Sequence, residues 1–273
     1  MNLHVETSGE GAPLLLIHGW GMHGGMWGGV TEQLAQHFQV LAVDLPGHGH
    51  SAGSGKWPVV SAEPHTHHSP LTTRYLDSIV DQLAEQFSDI GPLTVCGWSL
   101  GGQVALRWAL RYPQQVNRLV LVSSTPCFVQ QTDWPCAMAA DTLAAFSASL
   151  QQDYLPTLRR FLALQVRGSE QERELLVTLR HSLLSRGEPD LAALQSGLEI
   201  LRDCDLRVVL PEVVQPALVI AGERDTLTPL PASHYLAAQM PNARLATIRG
   251  AAHAPFLSHP DIFVKQLVGF LHG

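Results

Sequence analysis

The sequence predicts an α/β fold, a doubly wound and mostly parallel sheet with helices packed on both faces. Short apolar runs alternate with longer helical patterns along the chain, as repeated β-α units require. The runs show little polar alternation, which is typical of strands that are covered on both faces. One long segment carries helical patterns only, and this indicates a helical insertion between two strands of the sheet.

The predicted strands are short and are spread over most of the chain. They cover residues 14–17, 40–43, 93–96, 119–122 and 217–221, with a weaker strand at 243–248. A helix is predicted over 103–112, because Pro113 ends the helical pattern there. The segment 52–70, rich in Gly, Ser, Pro and His, is predicted to be a surface loop.

The helical insertion lies between residues 126 and 211, where amphipathic patterns are rich in Arg, Glu, Gln and Leu. We therefore predict a core domain made of residues 1–125 and 212–273. Residues 126–211, hereafter the cap segment, are expected to cover the carboxyl edge of the strands. Sheets of this kind bind their ligands at that edge.

Composition narrows the class of protein. The 273 residues carry a net charge of −7, which argues against nucleic acid as a general partner. No run approaches the roughly 18 continuous apolar residues that a membrane helix needs, and the first residues do not resemble a signal peptide. The four cysteines lack the paired spacing of metal ligands. We expect a cytoplasmic monomer that needs neither a membrane nor a metal or organic cofactor.

The stretch Gly97-Trp98-Ser99-Leu100-Gly101-Gly102 directly follows the predicted strand 93–96 and precedes a helix. A serine at such a tight strand-to-helix turn stands clear of the backbone and can act as a nucleophile. Glycine is needed on both sides of the serine because strand and helix close on each other there. Ser99 is therefore the predicted nucleophile.

Two further residues are predicted to complete a catalytic triad with Ser99. Asp225 follows the strand 217–221 and is preferred over Glu223, since a turn is expected there and aspartate is the shorter carboxylate. His253 lies in a small-residue loop after the last predicted strand. The chain order Ser, Asp, His is the order that this architecture uses.

Backbone N–H groups near Ser99 are predicted to form an oxyanion hole. The turn His18-Gly19-Trp20-Gly21 follows the first predicted strand and can aim the N–H of Trp20 toward a developing oxyanion. Leu100, directly after the nucleophile, would supply the second donor. The alternative is an ordinary strand-ending turn in which Trp20 serves packing alone.

With these motifs, the chain resembles the α/β-hydrolase superfamily over its whole length. The stretch Val43-Asp44-Leu45-Pro46-Gly47-His48-Gly49-His50-Ser51 also matches the superfamily. More narrowly, the chain resembles the BioH group, the pimeloyl-[acyl-carrier protein] methyl ester carboxylesterases of biotin synthesis. The residues behind that narrower resemblance are those at 18–21, 97–102, 123–128, 160–165, 197–201 and 252–260.

The resemblance implies an α/β-hydrolase fold and a serine esterase that acts through an acyl-enzyme. It implies that the substrate is a pimeloyl methyl ester carried on acyl-carrier protein. It also implies which residues contact that substrate: Trp20, Ser99, Leu100, Phe161, Leu162, Ala163, Leu164, Gln165 and His253. For those from the cap segment, an apolar helix face that packs on the core domain is the alternative.

Six arginines lie between residues 159 and 186, against three glutamates. Because acyl-carrier proteins are acidic, this part of the cap segment is predicted to be a docking face, with Arg160 and Arg173 as the contacts. A solvated helix face paired with Glu170, Glu172 and Glu174 is the alternative for any one arginine.

Three other functions share these motifs. A broad carboxylesterase without a carrier-protein partner and a C–C bond hydrolase would both keep the triad. The third is a non-catalytic ligand-binding protein of the same fold, which would usually have lost one residue of the triad. The histidines at 65, 67 and 68 invite a metal site, but they lack a fourth ligand at regular spacing and a rigid frame, so we predict none there.

Overall fold

A computed structural model describes residues 2–53 and 71–273. Within these residues, seven strands form one sheet. Their bounds are β1 (Val5–Ser8), β2 (Pro13–Ile17), β3 (Gln39–Val43), β4 (Leu93–Trp98), β5 (Val116–Val122), β6 (Ala217–Gly222) and β7 (Ala243–Ile248). The predicted loop 52–70, with its histidines at 65, 67 and 68, lies outside the described residues from residue 54 onward.

The strand order across the sheet is β1-β3-β2-β4-β5-β6-β7. β1 pairs antiparallel with β3, and every other neighbouring pair is parallel. All six predicted strands are present, and all residues of β4 and β6 are buried, as expected of strands covered on both faces. The predicted α/β class with a doubly wound, mostly parallel sheet is confirmed.

Ten α-helices occur in the described part of the chain. Their bounds are α1 (Val30–Leu34), α2 (Leu71–Gln86), α3 (Leu100–Arg111), α4 (Ala140–Gln152), α5 (Tyr154–Val166), α6 (Glu172–Ser182), α7 (Leu191–Asp203), α8 (Leu230–Gln239), α9 (Pro255–Ser258) and α10 (Pro260–His272). None of the helices within 2–53 and 71–273 combines the length and the apolar character that crossing a membrane requires.

The helix predicted over 103–112 is longer at its start than its sequence pattern indicates. α3 begins at Leu100, directly after Ser99, and it ends at Arg111. Gly101 and Gly102 disfavour a helix by propensity, which is why the pattern pointed to residue 103. Packing of the first turn on the sheet overrides that preference, because both glycines are buried there.

The cap segment between β5 and β6 contains α4, α5, α6 and α7. It contacts the rest of the chain through buried polar groups as well as apolar ones. The side chain of Arg186, only 8% exposed, forms ion pairs with Asp44 and Glu6. The ring of His23 forms a 2.8 Å hydrogen bond with the backbone carbonyl of Ser182. These contacts tie the segment that follows α6 to the edge of the sheet formed by β1 and β3.

Candidate active site

The Ser99 backbone adopts a strained conformation between β4 and α3, with φ 55° and ψ −117°. A non-glycine residue with positive φ persists only where its surroundings hold it there. The Ser99 N–H donates to the carbonyl of Val122 at 2.9 Å, and the Ser99 carbonyl accepts from Gly102 N–H and from Ser124 Oγ, both at 2.9 Å. Three hydrogen bonds from two neighbouring segments therefore fix the serine at the turn.

The glycines on either side of Ser99 allow this close approach of strand and helix. A Cβ on Gly97 would lie less than 3.0 Å from the backbone of Gly101. A Cβ on Gly101 would lie equally close to the carbonyl oxygens of Ile17 and His18, at the end of β2. The prediction that glycine is required at both positions therefore has a direct steric basis in backbone atoms that cannot move aside.

Asp225 and His253 form a buried pair at the same edge of the sheet. The His253 Nδ1–H donates to Asp225 Oδ2 at 2.8 Å, and each side chain is 1% exposed. Asp225 Oδ1 accepts the N–H groups of Leu227 and Thr228 at 2.9 and 3.0 Å, while Thr228 Oγ1 donates to Oδ2 at 2.7 Å. The carboxylate is thus oriented by three donors besides the imidazole.

The outer nitrogen of His253 is available for chemistry. Within residues 2–53 and 71–273, His253 Nε2 is buried and has no hydrogen-bond partner. Because Nδ1 keeps its proton and donates it in the hydrogen bond to Asp225, Nε2 of the neutral ring is an unprotonated acceptor. The indole N–H of Trp98, the residue before Ser99, donates to the His253 carbonyl at 2.9 Å. This bond joins the histidine loop to the turn that carries the serine.

The two loops that carry Asp225 and His253 cross at close range. Arg224 N–H donates to the carbonyl of Ala251 at 2.8 Å. A Cβ on Gly222, the last residue of β6, would lie less than 3.0 Å from the carbonyl of Ala252. β6 and β7 are parallel neighbours, so residues that follow their carboxyl ends meet at one edge of the sheet.

The turn with Trp20 lies directly against the serine. A Cβ on Gly19 would be 3.3 Å from Ser99 Cβ, so the backbone that leads into Trp20 borders the serine side chain. Leu100 is the first residue of α3, and the first N–H groups of a helix have no partner within the helix. The predicted oxyanion donors, Trp20 and Leu100, therefore come from two segments that adjoin Ser99.

The Trp20 side chain packs under the cap segment. Its indole N–H donates to the carbonyl of Leu194 in α7 at 2.8 Å, and its ring meets Phe161 of α5 edge-on at 4.8 Å. A Cβ on Gly197 would lie 2.5 Å from Trp20 Cδ1, so α7 approaches the indole closely only because residue 197 is glycine. Trp20 therefore joins the turn after β2 to two helices of the cap segment.

The five consecutive residues 161–165 on α5 do not share one environment. Phe161, Leu162 and Gln165 are buried, whereas Ala163 and Leu164 are half-buried. Residues three and four apart lie on one helix face, so Phe161 and Gln165 point the same way. Phe161 contacts Trp20, and the Gln165 carbonyl accepts the His253 N–H at 3.0 Å. α5 thus reaches the predicted site mainly through its buried face.

A cleft of about 370 Å³ opens on the cap segment between α4 and α5. Arg160 lines it, donates to Thr157 Oγ1 at 3.2 Å, and lies 6.0 Å above the ring of Phe146. Phe146 in turn meets Phe161 edge-on at 6.0 Å. A continuous series of aromatic rings therefore leads from this surface cleft to Trp20.

Two arginines of the cap segment are exposed and lack an acidic partner among the described residues. Arg160 and Arg173 are exposed, and neither forms an ion pair with any residue that the structure describes. The neighbouring glutamates are engaged elsewhere, since Glu170 pairs with Arg224 at 3.3 Å and Glu172 accepts the N–H of Gly168 at 2.9 Å.

The three buried cysteines offer no competing nucleophile. All four are free thiols, and Cys96, Cys127 and Cys204 are buried. Burial raises the pKa of the Cys96 thiol far above its ordinary range, and it raises the pKa of Cys127 to about 11 and of Cys204 to about 12. The thiolate is the nucleophilic form, so these neutral side chains act as small apolar groups.

One cluster of potential metal ligands, formed by His4, Asp44 and His50, occurs in the described part of the chain. Both oxygens of the Asp44 carboxylate are already used by backbone N–H groups, those of Gly24 at 2.6 Å and His50 at 2.9 Å. The guanidinium of Arg186 also pairs with this carboxylate at 3.1 Å. A cation therefore already neutralises Asp44, and the cluster does not fit a metal ion.

Four contacts at the site were not expected from the sequence. They are the hydroxyl of Thr228 on Asp225, the hydroxyl of Ser124 on the Ser99 carbonyl, the indole of Trp98 on the His253 carbonyl and the carbonyl of Gln165 on the His253 N–H. Only the first has a local signal, because Thr228 lies three residues after Asp225, and an aspartate at a turn often binds groups two and three positions on.

The buried pair, the strained serine and the sheet order define a recognised class of protein. Residues 12–260 match the α/β-hydrolase fold family, and the chain therefore belongs to that family. Among its curated relatives, the pimeloyl-[acyl-carrier protein] methyl ester esterase of Nitrosomonas europaea is 46% identical over 266 residues, which is 97% of each chain. The enzyme of that name from Chromobacterium violaceum is 41% identical over 272 residues, 99% of this chain and 98% of its own.

Solved structures agree with the fold. An esterase from Exiguobacterium antarcticum superimposes with a TM-score of 0.81 at 24% identity, covering 99% of this chain and 96% of its own. The enol-lactonase from Burkholderia xenovorans has a TM-score of 0.79 at 23% identity, with the same coverage. At these identities the likeness establishes the fold alone.

Proposed function

We propose that this protein is a serine carboxylesterase that removes the methyl group from pimeloyl-[acyl-carrier protein] methyl ester. The observation that carries the proposal is the Asp225–His253 pair at 2.8 Å, with Nε2 unpaired among the described residues and Trp98 linking the loop to Ser99. The substrate is proposed from near full-length relatives that bear this name at 46% and 41% identity.

In the first half of the reaction, Ser99 Oγ attacks the ester carbonyl carbon and His253 Nε2 takes its proton. Asp225 accepts the Nδ1–H bond, which fixes the tautomer and stabilises the imidazolium that forms. The N–H groups of Trp20 and Leu100 hold the tetrahedral oxyanion, each contributing roughly 3 kcal/mol in related chemistry. The imidazolium then protonates the departing methoxide, and methanol leaves an acyl-enzyme on Ser99.

In the second half, water attacks the acyl carbon and gives a proton to His253 Nε2. The tetrahedral species collapses, His253 returns that proton to Ser99 Oγ, and the product leaves as the carboxylic acid, which keeps the second proton of the water and ionises in solution. His253 gives up in each half the proton that it took up in that half, and Ser99 regains in the second half the proton that it lost in the first, so these residues complete the cycle without a metal or an organic cofactor.

The acyl chain is proposed to lie under the cap segment against Trp20 and the 161–165 stretch of α5. This is supported by the edge-on contact of Trp20 with Phe161 and by the burial of Phe161, Leu162 and Gln165. The domain division belongs to the same proposal. Residues 1–125 and 212–273 carry the triad, and the four helices of the cap segment cover the site.

Acyl-carrier protein is proposed to dock on the exposed arginines of the cap segment. Arg160 borders the cleft from which aromatic rings lead to Trp20, and its charge is not matched by an ion pair among the described residues. Arg173 lies exposed in the first turn of α6. Long-range attraction between unpaired cations and an acidic partner speeds association.

We also propose that the protein is cytoplasmic, because its four cysteines are free thiols.

The substrate is tested by comparing kcat/KM for pimeloyl-[acyl-carrier protein] methyl ester with that for short p-nitrophenyl esters. The proposal expects the carrier-bound ester to be the better substrate. A clear preference for the free esters would identify a broad carboxylesterase, and turnover of a dienol-ketone with no ester hydrolysis would identify a C–C bond hydrolase.

The docking surface is tested with Arg160→Glu and Arg173→Glu at low and physiological salt. Both variants are expected to lose kcat/KM on the carrier-bound ester by about tenfold at low salt and to keep it on small neutral esters. Lys265→Glu on α10 is the matched control, since it reverses an exposed charge outside the cap segment. Equal losses on both kinds of ester would mean that the arginines support the cap segment itself, and no loss would refute the docking surface.

A further inference from the structure

The backbone of His253 is held on both sides by residues from distant parts of the chain. Its N–H donates to the carbonyl of Gln165 at 3.0 Å, and its carbonyl accepts the indole N–H of Trp98 at 2.9 Å. Gln165 lies in the last turn of α5, where helix carbonyls lack partners within the helix. Trp98 is the last residue of β4 and is covalently joined to Ser99.

The Trp98 ring also touches the segment that follows His253. It meets Phe256 of α9 edge-on at 4.9 Å, and it lies 6.0 Å from the His253 ring. The residues around His253 are small, namely Ala251, Ala252 and Ala254, and all three are buried. Their methyl groups give little steric definition of their own, so the orientation of this loop depends on what holds its backbone.

We propose that Trp98 is a positioning residue for the catalytic base. Its indole N–H holds the His253 peptide at a fixed place relative to Ser99, across 155 residues of sequence. Because Trp98 and Ser99 are adjacent, any shift of the serine turn moves the donor that holds the histidine. The nucleophile and the base therefore move together. This inference rests on the proposed roles of Ser99 and His253.

A positional tie of this kind matters because proton transfer is sensitive to small displacements. A general base must lie within hydrogen-bond reach of the proton it takes, and a misplacement of about 1 Å can cost two orders of magnitude in rate. In the described residues, no hydrogen bond of its own fixes His253 Nε2. The ring is therefore placed by Asp225 on one side and by its own backbone on the other.

Trp98→Phe tests the proposal, with Trp27→Phe as the matched control. Phenylalanine removes the indole N–H and keeps an aromatic ring at residue 98. Trp27 belongs to the same cluster, with its ring 6.3 Å from Trp98 and 4.6 Å from Phe256. Its buried indole nitrogen has no hydrogen-bond partner among the described residues. The control variant thus removes the same atoms from the same cluster without touching the His253 peptide.

Trp98→Phe is expected to lower kcat on a small p-nitrophenyl ester by about tenfold while KM changes less than about twofold. The rate at which a small fluorophosphonate labels Ser99 should fall by a similar factor. Trp27→Phe should lower Tm about as much as Trp98→Phe does. It should leave kcat and the labelling rate within about twofold of the wild type. Replacing Trp98 by benzothienylalanine, which has sulfur in place of the N–H, should reproduce the loss of kcat with the ring shape retained.

Equal kcat values for Trp98→Phe and Trp27→Phe would overturn the proposal, as would wild-type kcat in the benzothienylalanine variant. Failure of the proposed function gives a different result. In that case His253→Ala would itself retain activity, whatever residue 98 is. If His253→Ala is inactive and the Trp98 variants are fully active, the triad stands and the positioning role is wrong.

Discussion

His18 makes two hydrogen bonds that together need a neutral imidazole, and we predict that it makes the fold sensitive to acid. Its Nδ1–H donates to the Gly19 carbonyl at 2.8 Å, and its Nε2 accepts the Leu45 N–H at 2.9 Å. Protonating Nε2 would set two donors against each other. Burial, reinforced by the nearby His48, lowers the pKa of His18 from its ordinary 6.5 to about 3.

The sign and size of the effect follow from proton linkage. Between about pH 6.5 and pH 3 the unfolded chain binds a proton at residue 18 and the folded chain does not. The free energy of unfolding therefore keeps its full value above about pH 6.5 and decreases as the pH falls below it. With these two values the loss at pH 5 is about 2 kcal/mol relative to pH 8. Burial also lowers the pKa values of His23 and His48, so their contributions have the same sign.

The assay is urea unfolding of the wild type and His18→Gln at several pH values between 8 and 5. The His18→Gln variant should be less stable than the wild type at pH 8, because glutamine cannot make both hydrogen bonds. Residue 18 no longer titrates in this variant. Its free energy of unfolding should therefore decline by about 2 kcal/mol less than that of the wild type over this range. His23 and His48 remain in both proteins and cancel in the comparison. Equal declines would refute the reasoning.

The other predictions concern the serine turn and the triad. Gly101→Ala should destabilise the fold by about 3 kcal/mol in urea unfolding and abolish esterase activity, because its Cβ would collide with backbone, whereas Gly269→Ala in α10 has open space and should stabilise. Thr228→Val, which loses the 2.7 Å bond to Asp225, should lower kcat about tenfold, and Thr228→Ser should restore it.

The sheet was largely predictable from the sequence because buried parallel strands appear as continuous apolar runs. β1 was the exception. Its four residues, Val-Glu-Thr-Ser, are half-buried or exposed, and it pairs antiparallel at the edge of the sheet. A short edge strand with polar side chains lacks the apolar signal on which the other assignments depended.

Ser99, Asp225 and His253 could be proposed as a triad from the sequence, because each follows a predicted strand in the chain order that this architecture uses. The contacts that surround these residues could not be foreseen. The bond from Trp98 to His253 spans 155 residues, and the bond from Trp20 to Leu194 spans 174. No local pattern carries such information, because these contacts depend on how the cap segment and the histidine loop pack on the sheet.

Ser99 is proposed to be the nucleophile that hydrolyses the methyl ester of pimeloyl-[acyl-carrier protein] methyl ester. The most direct measurement is the rate at which purified wild type and Ser99→Ala convert this ester to the free acid, followed by the mass of the carrier-bound product. We predict rapid conversion by the wild type and a rate lower by about four to six orders of magnitude in a folded Ser99→Ala variant. Equal rates for the two proteins, or no conversion by the wild type, would contradict the claim.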